Sequence, residues 1–532
     1  MERVKILTPL FIGIGVAFGI FIGARLNFGD STEKIFSVNS KKDKLNRLID
    51  YIDFEYVDQI NTDSIVDVTV NGILSNLDPH SIYIPAKSYE SVAEDMRGKF
   101  VGIGISFYIY NDTLSVISAT PGGPAHRAGI SGGDRILSAE GVRLYGKDIH
   151  RDTITAILKG EVNTRLNLMV LHPGENEPVN IAVIRKEIPI KSVDAFYMVD
   201  DYTGYIKINR FAESTDKEFD EAIQSLIKQS ATSIILDFRD NPGGYVHVAE
   251  HIANQFLEKG KLIMMTKNKS GVVKNTHAKK HGVFEKGNVY ILINEMSASA
   301  SEIVAGAIQD NDRGIIIGRR SYGKGLVQRE MSLGDGSAVR LTVARYYTPT
   351  GRSIQRPYEY NDRAYFNEYQ KRYENGELVD EQNIKIADSL RFVTPQGKVV
   401  YGGGGIIPDY FVAKDFTDES EALTYLIKSG HLSYFVFEYL EKNRMQYQNI
   451  SVNEFYNDFE ITESILDEFA VYSDLRQNSS DVKKLQEKLK KYIKATIAEQ
   501  LFGEEDYVKI VNADDQMILK ALELEEKFRA EN

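Results

Sequence analysis

The chain has 532 residues, 42% hydrophobic and 26% charged, which excludes wholesale disorder and a collagen-like fibre and calls for more than one folding unit. Lys and Arg total 64 against 76 Asp and Glu; a net charge of -12 gives no general attraction to phosphate backbones, so no nucleic-acid partner is expected. There is no cysteine, which excludes disulfides, thiolate nucleophiles, Cys-bound zinc and iron–sulfur clusters.

Arg3 and Lys5 precede an uncharged run from Ile6 to Ala24, and Arg25 follows. The run is near the minimum length for a bilayer-crossing helix. It ends without a small-x-small cleavage site, so 1–30 is expected to be an uncleaved anchor, the alternative being a cleaved signal. The positive-inside bias sends the remainder out of the cytoplasm. Residues 31–95 read as mostly helical, with apolar residues three and four apart from Leu45 to Asp58 and a turn at Asp78-Pro79. Residues 96–180 alternate short β-prone runs with two short helices, PAHR and DTITAIL, between glycine turns.

From 181 to 410, strand candidates such as GYIKINRF, SIILDF and VYILIN alternate with amphipathic helices, which predicts an α/β core. Residues 411–532 are acidic, lysine-rich and helical in pattern, and are read as an appendage without an assigned task.

Three motifs could carry chemistry. His247 and His251 in HVAEH share a helix face at a zinc-peptidase spacing, but no later motif offers a third ligand, and two polar residues on an outer face explain them as well. GRRSYGKG contains most of a phosphate loop, yet Gly325 stands where the Ser or Thr for magnesium belongs. NEMSASASEIVAGA runs from a strand into a helix, a corner that can expose a serine beside free helix-start N–H groups. The same SASE is an N-capping box, and on pattern alone Ser297, Ser299 and Ser301 are equivalent. A serine needs a base. No histidine lies between His281 and the end of this core, whereas Lys324 sits between two glycines, and a Ser–Lys pair is a known solution.

Taken in order, LDPHS (77–81), GGPAHRAGISGGDRIL (122–137), LDFRDNPGG (236–244), SASASEIVAGAIQD (297–310), YGKGLVQ (322–328), TVARYYTPTGRSIQ (342–355) and GIIPD (405–409) closely resemble the carboxyl-terminal processing, or tail-specific, proteases of serine peptidase family S41. The resemblance covers roughly 40–410. It implies a multidomain α+β protein, with an α/β (ClpP/crotonase-like) protease core at 181–410, an inserted β-rich PDZ domain at 96–180, and helical N- and C-terminal regions. It implies Ser299 as nucleophile, Lys324 as base and Gln328 as its support. The oxyanion hole would be the N–H of Ala300 with that of Gly243 or Gly244, and Val101, Gly102, Ile103, Gly104 and Ile105 would form the PDZ carboxylate loop. No cofactor or metal is implied. The expected partners are proteins with accessible C-terminal tails, with an adaptor or a second copy through 411–532. The expected place is the bacterial inner membrane, with the catalytic part in the periplasm, or the periplasm or exterior after signal cleavage. The rival readings are an inactive PDZ scaffold and a zinc metallopeptidase built on His247 and His251.

Overall fold

The computed structural model describes residues 40–359, 363–416, 421–447, 450–473 and 480–531. The apolar run at 6–24 lies outside them; no described helix is long and apolar enough to cross a membrane. The chain divides into two compact units at Leu74/Ser75. The first holds two helices, α1 (Ser40–Glu55) and α2 (Thr62–Leu74), with Thr62 Oγ1 donating to Asp53 Oδ1 at 2.6 Å.

The second unit begins differently from the all-helical expectation for 31–95. A short strand, β1 (Ile82–Ile84), precedes helix α3 (Ala86–Arg97). Three residues are too few to show a period, and β1 exists because β18 offers it a partner.

The stretch VGIGISFYIY is not one strand. It breaks into β2 (Lys99–Gly102), which pairs with β9 (Lys186–Pro189), and β3 (Ile105–Tyr110). β3 joins β4 (Thr113–Ala119), β5 (Arg135–Ala139), β7 (Arg165–Leu171) and β8 (Val179–Ile184) in that order, with β6 (Val142–Arg143) on β5. Two short helices, α4 (Pro124–Arg127) and α5 (Arg151–Leu158), accompany this sheet. Its core includes Ile103, Leu114, Val116, Ile136, Ile154 and Leu166.

The catalytic core is a six-stranded sheet in the order β10 (Val193–Met198), β11 (Thr203–Ile208), β12 (Ser233–Asp237), β15 (Asn288–Ile293), β16 (Ile315–Gly318) and β21 (Tyr410–Phe411). All its pairs are parallel except β10–β11. Alternation along each strand feeds two cores. Ile206, Ile234, Leu236, Val289, Ile291 and Ile316 face one layer that includes residues of α6 (Thr215–Lys228), α7 (Val246–Asn254) and α8 (Ala300–Asp310). Tyr205, Ile235, Tyr290, Leu292 and Ile317 face the other.

That second face is covered from far along the chain. Helices α9 (Glu368–Glu374), α10 (Glu421–Lys428), α11 (His431–Lys442), α12 (Arg444–Tyr447), α13 (Val452–Asp458), α14 (Glu463–Tyr472), α15 (Ser480–Leu501) and α16 (Glu504–Asn512) lead to α17 (Gln516–Glu531). Met517, Ile518, Ala521 and Leu524 of α17 pack on the sheet, each large side chain contributing about 1.5–3 kcal/mol by burial. The segment 411–532 is therefore two things. Residues of α10–α16 build a helical core of their own, while α17 is a layer of the protease.

KLIMMTKN also departs from expectation. As β13 (Leu262–Asn268) it lies outside the parallel sheet, in an antiparallel sheet with β14 (Val273–His277), β18 (Ala338–Tyr347) and β1, while β17 (Leu326–Ser332) pairs with β18. This second sheet carries the base and its supports.

Candidate active site

The chain leaves β15 at Ile293 and enters α8 at Ala300, and Ser299 is the corner between them. Its φ of 56° and ψ of −109° are strained for a residue with a side chain. Burial separates the three serines that pattern could not. Ser297 is fully buried and donates from Oγ to the carbonyl of Phe238 at 2.8 Å. Ser301 is fully buried and donates to the carbonyl of Asn241 at 3.1 Å. Ser299 alone of the three is partly exposed. Its carbonyl accepts the hydroxyl of Tyr346 at 3.1 Å, and burial pushes that phenol well above its usual range, so it remains a donor.

Glu302 ties this corner to the loop that follows β16. The carboxyl is completely buried. Oε2 accepts the N–H of Ser299 at 2.8 Å and of Lys324 at 2.9 Å; Oε1 accepts the N–H of Gly323 at 2.7 Å and the hydroxyl of Ser321 at 2.5 Å. The Ser299–Glu302 capping relation is thus present, and three further bonds reach from it to the turn carrying the base. Burial pushes the carboxyl up, while these donors pull it down. Gly323 holds φ 89°, which favours glycine, and its neighbour Tyr322 donates from N to Ser297 O at 2.9 Å.

Lys324 points its amine at Gln328, donating to Oε1 at 2.8 Å. Burial, then the positive charge of Arg340, lower the amine to about 8, against the opposing pull of Glu302 and Asp78. Gln328 in turn donates from Nε2 to the carbonyl of His80. LDPHS, read from sequence only as a turn, explains why that carbonyl is there. Asp78 Oδ1 accepts the N–H groups of His80 and Ser81, both at 2.9 Å, and the hydroxyl of Thr342 on β18 at 3.2 Å. A histidine therefore does stand beside Lys324, from outside the stretch where a base was sought. Its Nε2 is hydrogen-bonded to Tyr365 Oη at 2.9 Å. Burial, then the charge of Lys324, lower it to about 4, so its ring is neutral at pH 7. Ser299 and Lys324 are brought together through Glu302; among the described residues no hydrogen bond joins Ser299 Oγ to the lysine amine, and in unliganded enzymes such bonds are often long.

The loop after β12 lies against the corner. A Cβ on Gly243 would come within 2.7 Å of Ala298 O and 2.8 Å of Ser299 Cβ, so only glycine allows this approach. Asn241 pins the loop. It donates from Nδ2 to Ile208 O at 2.7 Å, accepts the N–H of Gly243 at 2.8 Å, and takes the N–H of Ala298 on its carbonyl at 3.0 Å. Among the described residues the N–H groups of Gly244 and Ala300 have no hydrogen bond. Proximity thus favours Gly243 and an uncommitted N–H favours Gly244.

In the other β domain, Val101 and Gly102 belong to the β2–β9 ribbon, opposite Glu187 and Lys186. Ile103, Gly104 (φ 73°) and Ile105 form the bend that opens β3, with Ile103 O accepting Ala125 N at 2.9 Å.

The family model described as Peptidase family S41 matches residues 202–360, and a PDZ domain model matches 101–183. A carboxy-terminal-processing protease of Bartonella bacilliformis is 35% identical over 305 residues, 57% of this chain and 69% of that protein. The chain belongs to the carboxy-terminal processing proteases of peptidase family S41. It is a serine-type peptidase. Carboxy-terminal processing protease CtpA of Bacillus subtilis is 34% identical over 319 residues, 60% of this chain and 67% of that one. A solved structure, the photosystem II D1 C-terminal processing protease, aligns at 26% identity and a TM-score of 0.35 over 59% of this chain and 83% of its own. Residues 422–503, most of the helical domain, match a family of unknown function.

Within a peptidase of this family the other two motifs have structural duties. His251 shares Asp220 and Gln255 at 2.9 and 3.0 Å, and His247 lies against the Tyr245 ring. Among the described residues no group of three or more His, Asp or Glu is placed to hold a metal. GRRSYGKG is the turn between β16 and β17 that presents Lys324.

Proposed function

We propose that this S41 peptidase cuts protein chains near their C-termini through an acyl-enzyme formed on Ser299, with Lys324 as general base. The observation that carries the proposal is the buried Glu302 carboxylate, which binds the backbones of both residues while the lysine amine is lowered to about 8. Neutral Lys324 takes the hydroxyl proton as Ser299 Oγ attacks the scissile carbonyl. Gln328 orients the amine. The developing oxyanion is received by the N–H of Ala300 and of Gly243 or Gly244. The protonated lysine then delivers its proton to the leaving amine, and a water activated by the same amine releases the acyl group. The substrate tail docks on the PDZ domain, its carboxylate at the bend from Ile103 to Ile105 and its backbone along β3. The test is digestion of an unstructured protein by wild type and Ser299→Ala, with product masses measured. Wild type should release fragments cut near the C-terminus and the variant none; equal cleavage by both would remove Ser299 as nucleophile.

We further propose that the run from Ile6 to Ala24 anchors the enzyme in the bacterial inner membrane with the protease outside the cytoplasm, on the strength of Arg3 and Lys5 before it. Fractionation should find the full-length protein with membranes. Recovery in the soluble cytoplasm would sink this reading.

A further inference from the structure

Strand β3 is an edge, paired with β4 alone. Asn111 and Asp112 close the hairpin with φ of 48° and 54°, so Tyr110 and Thr113 form its terminal hydrogen-bonded pair. Alternation then turns the N–H and C=O of Ile109 and Phe107 away from β4. Their partners agree, since Leu114 N and Val116 N donate to Leu144 O and Asp134 O on the opposite side. Beyond the irregularity at Ser106/Phe107, Gly104 O accepts Thr120 N, which turns Ile105 outward as well. Ile105, Phe107 and Ile109 thus present the row to which an extended tail adds.

One group in that row is taken. Tyr434 of α11 donates its hydroxyl to Ile109 O at 2.8 Å, with its ring centroid 4.2 Å from that of Tyr108. Phe437 packs edge-on against Tyr108 and Tyr110 at 5.5 and 5.6 Å. The contact is fastened by the ion pair of Arg135 with Glu441 at 2.7 Å and by Arg444 donating to Gly132 O at 2.6 Å. Among the described residues no hydrogen bond reaches the outward groups of Ile105 or Phe107.

We propose that the helical domain closes the far end of the tail groove and that Tyr434 sets the length of substrate strand the PDZ domain accepts. From Ile105 to Ile109 the strand runs about 13 Å, room for about four residues. The tail pairs with Ile105 and Phe107; at Ile109 the chain meets Tyr434 and leaves the edge. This inference rests on the tail-docking reading above.

The experiment uses full-length Ser299→Ala protein, so that nothing is cut, and pools of four- and eight-residue peptides with apolar last residues, each with free and amidated C-termini. Binding is measured for that protein and for versions also carrying Tyr434→Ala or Tyr434→Phe. With Tyr434 present, both lengths should bind within twofold of each other. Tyr434→Ala should leave the four-residue pool unchanged and tighten the eight-residue pool about fivefold to tenfold, the worth of one or two regained backbone hydrogen bonds. Tyr434→Phe, which keeps the ring and the packing, should give a gain of about twofold to fivefold. An eight-residue preference already present with Tyr434 and unaltered by either change would overturn the inference, and so would an equal gain for both lengths, which means complete closure rather than a length limit. Failure of the tail reading looks different. Free and amidated pools would then bind alike, or neither would bind any version, and the inference would fall with it.

Discussion

Folded Lys324→Arg protein should form no acyl-enzyme. The reason is proton accounting. With its amine lowered to about 8, roughly a tenth of Lys324 is neutral at pH 7, against less than a thousandth for a free lysine side chain. A guanidinium stays charged throughout and cannot accept the proton. Lys324→Ala should lose at least about a thousandfold in acylation rate, and Lys324→His should keep a trace, since imidazole accepts a proton from a shorter reach. In the wild type the rate should climb with pH and level off above about 8, because the neutral amine is the active form. The same shift acts on stability with the opposite sense. A lysine whose folded value lies below its unfolded one opposes folding at neutral pH, and the opposition fades as pH rises from about 8 towards 10.5. Lys324→Met should therefore melt no lower than wild type at pH 7 while being inactive, which separates the base from a structural residue. Near-normal acylation by folded Lys324→Arg would remove Lys324 from the mechanism.

Glu302→Gln should cost about a hundredfold to a thousandfold in kcat with KM little changed. The carboxylate receives four donors on two oxygens, three of them backbone N–H groups. An amide offers one accepting oxygen and turns its NH2 towards two of those donors. Each donor left unpaired in a buried site costs about 1–3 kcal/mol, so the thermal midpoint should also fall by several degrees. The backbone of Ser299 and the Gly323-Lys324 turn then lose their shared fixed point, and the nucleophile no longer lies within steady reach of its base. A positioning role predicts that the kcat plateau falls while the midpoint of the pH profile moves little. Wild-type kcat in Glu302→Gln would end this account, and a fall in stability without a fall in kcat would reduce Glu302 to a structural cap.

What the sequence disclosed follows how local each signal is. The helices beginning at Thr215, Val246 and Ala300 and the strands between them carry their period within a dozen residues, and they form where the pattern puts them. The choice among Ser297, Ser299 and Ser301 needed burial, which depends on Phe238 and Asn241 some sixty positions away. Family resemblance named Ser299 and Lys324, but it did not reveal that Glu302 joins them, since a capping box already accounted for that glutamate. His80 could not be seen as a neighbour of Lys324, because the tyrosine that holds its ring is 285 positions downstream. The period of α17 announced a helix with an apolar face; nothing in that period says which surface the face will cover.

The helix across the second face of the catalytic sheet also imposes an order of events. β21 ends at Phe411 and α17 begins at Gln516, with the whole helical domain translated in between. Until α17 arrives, Tyr205, Ile235, Tyr290, Leu292 and Ile317 lack that cover, and Arg239, beside the glycine loop, lacks the Asp515 carboxylate that meets it at 2.5 Å. Contacts spanning so much chain form late and slowly. A growing chain that already contains Ser299 and Lys324 therefore has an unfinished sheet beneath them. Destructive activity is withheld through synthesis by the position of one helix in the reading order, without a propeptide or an inhibitor.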